Sequence, residues 1–137
     1  MGLILDSTVV IAAERRGESP EEFLLNAVRS ATNQEVALTA VGLTELVHGI
    51  YRAETPERRA RRKRFVDDLC AGMNIYPYTA ETAFLAGRIH GEQMATGITI
   101  PYADLLIGAT ALSIGFSVLT TNSRHFRLIP GLNVISF

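Results

Sequence analysis

Three carboxylates stand apart from every other charge in this chain. Asp6 is the only formally charged residue between Met1 and Ala13, Glu45 between Val36 and Tyr51, and Asp104 between Gln93 and Ser123. Burying a lone carboxylate among apolar groups costs several kcal/mol unless it is paired or binds a cation. No basic residue in these segments offers pairing. A hard divalent ion does, since Mg²⁺ and Mn²⁺ take oxygen ligands from a few carboxylates, water and phosphate. Each acid also has a plain structural explanation. Asp6 ends a strand and caps a helix, Asp104 caps a helix after Pro101, and Glu45 is partly exposed on its own helix. Together the three predict one shared carboxylate cluster.

Composition narrows the chemistry further. The only lysine, Lys63, lies inside an arginine run, so a P-loop, which needs a lysine after a glycine-rich turn, and a Schiff-base site, which needs a desolvated one, are both excluded. Cys70 is the only cysteine, which rules out an internal disulfide and any multi-thiolate metal site, and fits a reducing, cytoplasmic setting. No apolar run reaches the ~20 residues of a membrane span, and no leader pattern follows Met1, so a soluble, unprocessed chain with no membrane partner is expected. The net charge of -1 exerts no overall pull toward nucleic acid. The charge is nevertheless uneven, for Arg58, Arg59, Arg61, Arg62, Lys63 and Arg64 are clustered. Spaced at ~100° per residue they cannot share one helix face, and a solvated helix or a phosphate-contacting one are both open.

The elements that must position the acids follow from periodicity. Gly2-Leu3-Ile4-Leu5 reads as a buried parallel strand with Asp6 at its carboxyl end, where open α/β sheets place their chemistry. Ser7 to Arg15 is a short helix. Ser19-Pro20-Glu21-Glu22 opens another that runs to about Ser30, and Thr55-Pro56-Glu57 opens one that runs to about Ala71. Strands are expected at Glu35–Thr39, Ile75–Tyr78, Ser117–Thr120 and Asn133–Ser136. Val41 to Tyr51 is a helix with a buried stripe of Val41, Leu46, Val47 and Ile50. Thr79 caps a helix whose apolar face is Ala83, Phe84, Ala86 and Ile89, and Tyr102 to Ile114 is a helix buried on most sides. Thr121 to Arg127 is a polar loop or a turn of helix. Strands alternating with helices indicate a three-layer α/β/α domain over residues 1–137, with a central parallel sheet of about five strands.

Four stretches in order carry a resemblance over essentially the whole length: Leu3-Ile4-Leu5-Asp6-Ser7-Thr8-Val9-Val10-Ile11, Thr44-Glu45-Leu46, Ile100-Pro101-Tyr102-Ala103-Asp104-Leu105-Leu106-Ile107-Gly108-Ala109-Thr110-Ala111-Leu112, and Thr120-Thr121-Asn122-Ser123-Arg124-His125-Phe126. The chain resembles PIN-domain ribonucleases, in particular VapC-type toxins of toxin–antitoxin systems. The resemblance implies a PIN-like fold and a Mg²⁺- or Mn²⁺-dependent endoribonuclease held inactive by a cognate VapB-like antitoxin, with a homodimer as its assembly. It assigns Asp6, Glu45 and Asp104 to the metal positions and places Asn122 where many members carry a fourth acid. On that reading water activated by the metal attacks the RNA phosphodiester, with Asn122 and either Thr121 or Ser7 positioning water or phosphate.

Several weaker signals stand beside these. Glu45-x-x-His48 has the spacing of a di-iron ligand pair, but such sites need the motif on two helices. His125 reads as a loop anchor more readily than as a general base. His90 reads as a surface residue, and Tyr102 as a packing residue. Two other functions are compatible with an acid at a strand end. One is a PIN-like binding module without catalysis. The other is a phosphoaspartyl enzyme or receiver domain, which lacks a well-placed lysine here.

Overall fold

The computed structural model describes residues 1–32 and 34–137. Side-chain oxygens open most of its helices. Asp6 caps α1 (Ser7–Arg15), Ser19 caps α2 (Pro20–Ser30), Thr39 caps α3 (Ala40–Tyr51), Thr55 caps α4 (Pro56–Gly72) and Thr79 caps α5 (Ala80–Ala95), each accepting from a backbone N–H of the first turn. Those N–H groups have no partner inside the helix, so each cap stabilises its start by about 1 kcal/mol. Two further helices, α6 (Tyr102–Ser113) and α7 (Ser123–Phe126), begin without a side-chain cap.

Five strands alternate with these helices: β1 (Gly2–Leu5), β2 (Glu35–Thr39), β3 (Asn74–Tyr76), β4 (Ser117–Thr120) and β5 (Val134–Ser136). They form one sheet in the order β3-β2-β1-β4-β5, with every pairing among the described residues parallel. The third strand stops at Tyr76, short of the expected Tyr78, because Pro77 has no N–H to donate to the ladder.

Successive side chains of a strand point to opposite faces, and β1 divides its residues accordingly. Leu3 and Leu5 join Val9, Phe23, Phe65 and Leu69 in one core, while Ile4 joins Ile89, Ile107, Val118 and Phe126 in the other. These two cores make the predicted three-layer α/β/α arrangement. The chain moves outward on one side of β1 through β2 and β3, then returns to lay β4 and β5 on the other. The order therefore reverses between β1 and β4, and it is outside the carboxyl ends at such a reversal that sheets of this kind usually place a ligand crevice.

Two helix faces differ from expectation. On α5, Thr82, Ala86 and Ile89 are buried, while Ala83 is exposed and Phe84 is 83% exposed. The stripe that meets the core keeps i, i+4, i+7 spacing and passes Phe84 by. On α3, Leu46 and Ile50 are buried but Val47 is exposed. The buried character of α6 is as expected, at Leu105 and from Ile107 through Ala111. Gly108 has a particular use there, since a Cβ at this position would collide with Ile129 Cδ1 and come within 3.2 Å of Leu132 and 3.4 Å of Phe126. Its absence lets α6 lie directly against the α7 turn.

Candidate active site

Asp6 is 1% exposed and its carboxylate is held on both oxygens. Oδ1 accepts from the Ser7 N–H at 2.9 Å, and Oδ2 accepts from Thr8 Oγ1 and Thr120 Oγ1, each at 2.8 Å. Local geometry produces the first two bonds, because Asp6 is the α1 cap. The third depends on the sheet: the Asp6 N–H donates to the Leu119 carbonyl at 3.0 Å, so β1 and β4 deliver Asp6 and Thr120 to the same level.

Glu45 lies on the second turn of α3 and is half-buried. Its Oε1 accepts from Ser7 Oγ at 2.8 Å, which ties α3 to the start of α1. Asp104 is the third residue of α6, where the positive end of the helix favours a carboxylate. It is not the cap, a place taken by Pro101. Asp104 Oδ2 lies 2.8 Å from His125 Nδ1, and its side chain is 13% exposed.

The three acids share one electrostatic environment. Burial pushes the Asp6 carboxyl above its ordinary value, the hydroxyls of Thr120 and Thr8 pull it back, and the charge of Asp104 adds to the rise. Burial likewise raises Glu45 and the Ser7 hydroxyl opposes it, with the charges of both Asp6 and Asp104 pushing further upward. Ser7 brings Asp6 and Glu45 together, since its N–H bonds the first and its Oγ the second, and Asp104 stands at the start of α6. Direct convergence is looser than expected: among the described residues, no three acid, histidine or cysteine side chains come close enough together to chelate one ion. The donor set still fits a hard divalent cation. All three side chains supply anionic oxygen, Glu45 Oε2 and Asp104 Oδ1 accept no hydrogen bond among the described residues, and mutual repulsion is what a cation relieves. Mg²⁺ keeps several of its waters, so it needs no closed cage of protein ligands.

The remaining candidates sort as follows. Asn122 is exposed on the loop after β4, and its N–H donates to Thr120 Oγ1 at 2.9 Å. With Thr121, Ser123, Arg124 and His125 it lines an open hollow of about 320 Å³. Ser7 binds Glu45 directly, whereas Thr121 reaches the site through its N–H, which donates to Thr8 Oγ1 at 3.3 Å. His48 is exposed at the helix surface, away from any second ligand motif. Tyr102 is 64% exposed, its ring 5.9 Å from that of His90, so it packs on a neighbour and not in the core. Thr8, Thr120 and the His125 contact to Asp104 were missed from sequence. Nothing local in the residues marks a threonine at a strand end as the partner of an acid far away along the chain.

The pattern that defines the PIN domain matches residues 3–132. The Ribonuclease VapC1 of Rickettsia felis is 31% identical over 136 residues, a match covering 99% of this chain and 96% of the relative. The tRNA(fMet)-specific endonuclease VapC of Salmonella typhimurium is 28% identical, over 83% of this chain and 80% of its own. The chain belongs to the PIN-domain family, in the group of the VapC proteins. Among solved structures, VapBC2 of Rickettsia felis bound to a promoter DNA fragment superposes with a TM-score of 0.81 at 23% identity, covering 98% of this chain and 97% of that one. The DNA-bound VapBC of Salmonella typhimurium gives 0.79 at 24%, covering 99% and 98%. At these identities the likeness is one of fold.

Proposed function

We propose that this chain is a Mg²⁺- or Mn²⁺-dependent endoribonuclease and the toxin of a toxin–antitoxin pair, with Asp6, Glu45 and Asp104 as its metal-holding carboxylates. The observation that carries the proposal is geometric: at the carboxyl end of β1 Ser7 bonds Asp6 through its N–H and Glu45 through Oγ, while Asp104 is held by His125 from the turn after β4. A divalent ion there supplies a Lewis acid that acidifies water and offsets charge on the phosphate. The chain's own groups do the rest. Thr8, Thr120 and the Ser7 N–H fix the Asp6 carboxylate, Ser7 Oγ fixes one oxygen of Glu45, and the second oxygen, Glu45 Oε2, is available to hold the attacking water. Asn122, on the exposed loop beside Thr120, offers uncharged hydrogen bonds to the phosphate or to water.

The names of the relatives, ribonuclease and endonuclease, support RNA as the substrate. VapBC complexes among the structural neighbours support a VapB-like antitoxin as partner. A homodimer belongs to the same proposal, and Phe84 and Met94 of α5, 83% and 53% exposed, offer apolar area for a second copy to cover. Among the described residues no helix is long and apolar enough to cross a membrane. A cytoplasmic setting goes with an RNA substrate and an unpaired Cys70.

The test is cleavage of RNA by the purified chain with Mg²⁺, with EDTA, and after Asp6→Asn or Asp104→Asn. The expected result is loss in EDTA and a fall of roughly 100-fold or more in each variant, the scale of removing a major electrostatic stabiliser. Full cleavage in EDTA or in either variant would overturn the proposal.

One observation favours a second reading, a PIN-like binding module without catalysis: the acids do not converge into a three-ligand cluster among the described residues, and Asn122 adds no charge. Absence of Mn²⁺ uptake in a titration would favour that module. A phosphoaspartyl function gains no support, because Lys63 is engaged with Asp67 at 2.7 Å on the exposed face of α4.

A further inference from the structure

The loop that carries His125 has anchors of its own besides that side chain. The α7 turn is already held by Phe126, which is fully buried, by Ile129 at 2% exposure, and by the bond from the Asn122 N–H to Thr120 Oγ1. Its backbone closes on itself through His125 N–H to the Asn122 carbonyl and Arg127 N–H to the Ser123 carbonyl. The imidazole instead turns toward α6 and places Nδ1 2.8 Å from Asp104 Oδ2. The contact is built in from the other side as well: Gly108, one turn after Asp104, lets α6 approach Phe126 and Ile129 closely. His125 Nε2 has no partner among the described residues, and the ring borders the open hollow after β4.

We infer that His125 is a positioning residue for the Asp104 carboxylate. Its Nδ1–H occupies Oδ2 and fixes the rotation of the carboxylate, leaving Oδ1 to serve the acidic crevice. Without that bond the carboxylate of a short side chain rotates freely, and binding an ion must then include the entropy cost of ordering it. Partners of this kind typically change metal affinity 10- to 100-fold when removed. Asp6 and Glu45 have equivalent holders in Thr120 and Ser7, so each acid of the crevice has one donor from a different element.

This inference rests on the proposed metal-holding role of Asp104, and the test separates the two. Mn²⁺ binding is measured by calorimetric titration, without RNA, for the wild-type chain, His125→Ala, His125→Asn and Asp104→Asn. Asparagine places its amide nitrogen where histidine places Nδ1. The expected result is a roughly 10- to 100-fold weaker Mn²⁺ affinity in His125→Ala, recovered to within a few-fold in His125→Asn, with little change in melting temperature. His125→Ala binding Mn²⁺ within twofold of wild type, or His125→Asn as impaired as His125→Ala, overturns the positioning role while Asp104→Asn remains defective. Normal Mn²⁺ binding by Asp104→Asn, or none by the wild-type chain, sinks the metal reading itself and the inference with it.

Discussion

Thr120 Oγ1 donates to Asp6 Oδ2 at 2.8 Å, joining residues 114 positions apart in the chain. Thr120 ends β4 and Asp6 follows β1, and the register that pairs Leu5 with Leu119 sets them side by side. The same hydroxyl oxygen accepts from the Asn122 N–H at 2.9 Å. One side chain therefore connects the most buried acid of the crevice to the loop that forms its rim.

Replacing that hydroxyl tests the connection. Thr120→Val keeps the shape, removes a donor from Asp6 and leaves the Asn122 N–H without its acceptor. It is expected to lower unfolding free energy by about 1–3 kcal/mol in urea titration, the cost of stranding polar groups. Thr120→Ser, which retains the hydroxyl, should recover most of the RNA cleavage that Thr120→Val loses. Equal cleavage in the valine variant and wild type would count against the bond's importance.

The raised acids give a signed pH dependence. Burial holds Asp6 above 3.8 and Glu45 above 4.5. The folded chain therefore binds these protons more tightly than the unfolded chain does. Their contribution to stability is fully present below the ordinary values and is lost as pH rises through the folded ones. In EDTA the stability of Asp6→Asn should fall less steeply than that of wild type as pH rises from 3.8 toward neutrality, because the titrating group is gone. An Asp6→Asn protein whose stability falls as steeply as wild type would contradict the account.

Divalent ions should reverse the same penalty. An ion bound only by the folded chain stabilises it by about 2.7 kcal/mol at 100 times its dissociation constant. Thermal melts of wild type with increasing Mn²⁺ are expected to shift upward, and those of Asp104→Asn to stay near their metal-free value. Parallel shifts in both would place the ion elsewhere.

The basic run offers a prediction about substrate. Arg58 and Arg61 are 53% and 64% exposed at their side chains and pair loosely, at 3.5 Å with Glu54 and 3.9 Å with Glu14. Arg62 is different, half-buried and donating to the Gly49 carbonyl at 3.0 Å one turn past Glu45 on α3. That bond ties the run to the helix that carries Glu45. Arg58→Glu with Arg61→Glu should weaken RNA binding and flatten its salt dependence by about 0.7 in the log–log slope for each phosphate no longer neutralised. An unchanged slope would leave these residues as a solvated face.

Gly108→Ala probes the approach of α6 to α7. The added methyl meets Ile129 Cδ1 in a fully packed core, so a loss of about 1–3 kcal/mol is expected in chemical denaturation. A variant as stable as wild type would mean that the Ile129 side chain turns aside at no cost.

Much of this architecture is readable in the residues. Ser19, Thr55 and Thr79 mark helix starts because a hydroxyl satisfies the first N–H groups, and the apolar run before Asp6 marks a buried strand end because few other structures tolerate it. Those signals are local and periodic, and they also pick out Asp6, Glu45 and Asp104 as acids with no charged neighbour nearby in sequence. The surface position of Phe84 was not readable, since α5 carries apolar residues on more than one side and only packing selects Thr82, Ala86 and Ile89.

Sequence by itself therefore singled out three acids and the elements that carry them, because isolation from other charges is a property of the linear order. Tertiary structure alone decided who holds each acid: Thr120 for Asp6, Ser7 for Glu45 and His125 for Asp104. Those pairs come from parallel strand register, the crossing of α1 and α3, and the close seat of α6 on α7, none of which leaves a trace in spacing along the chain.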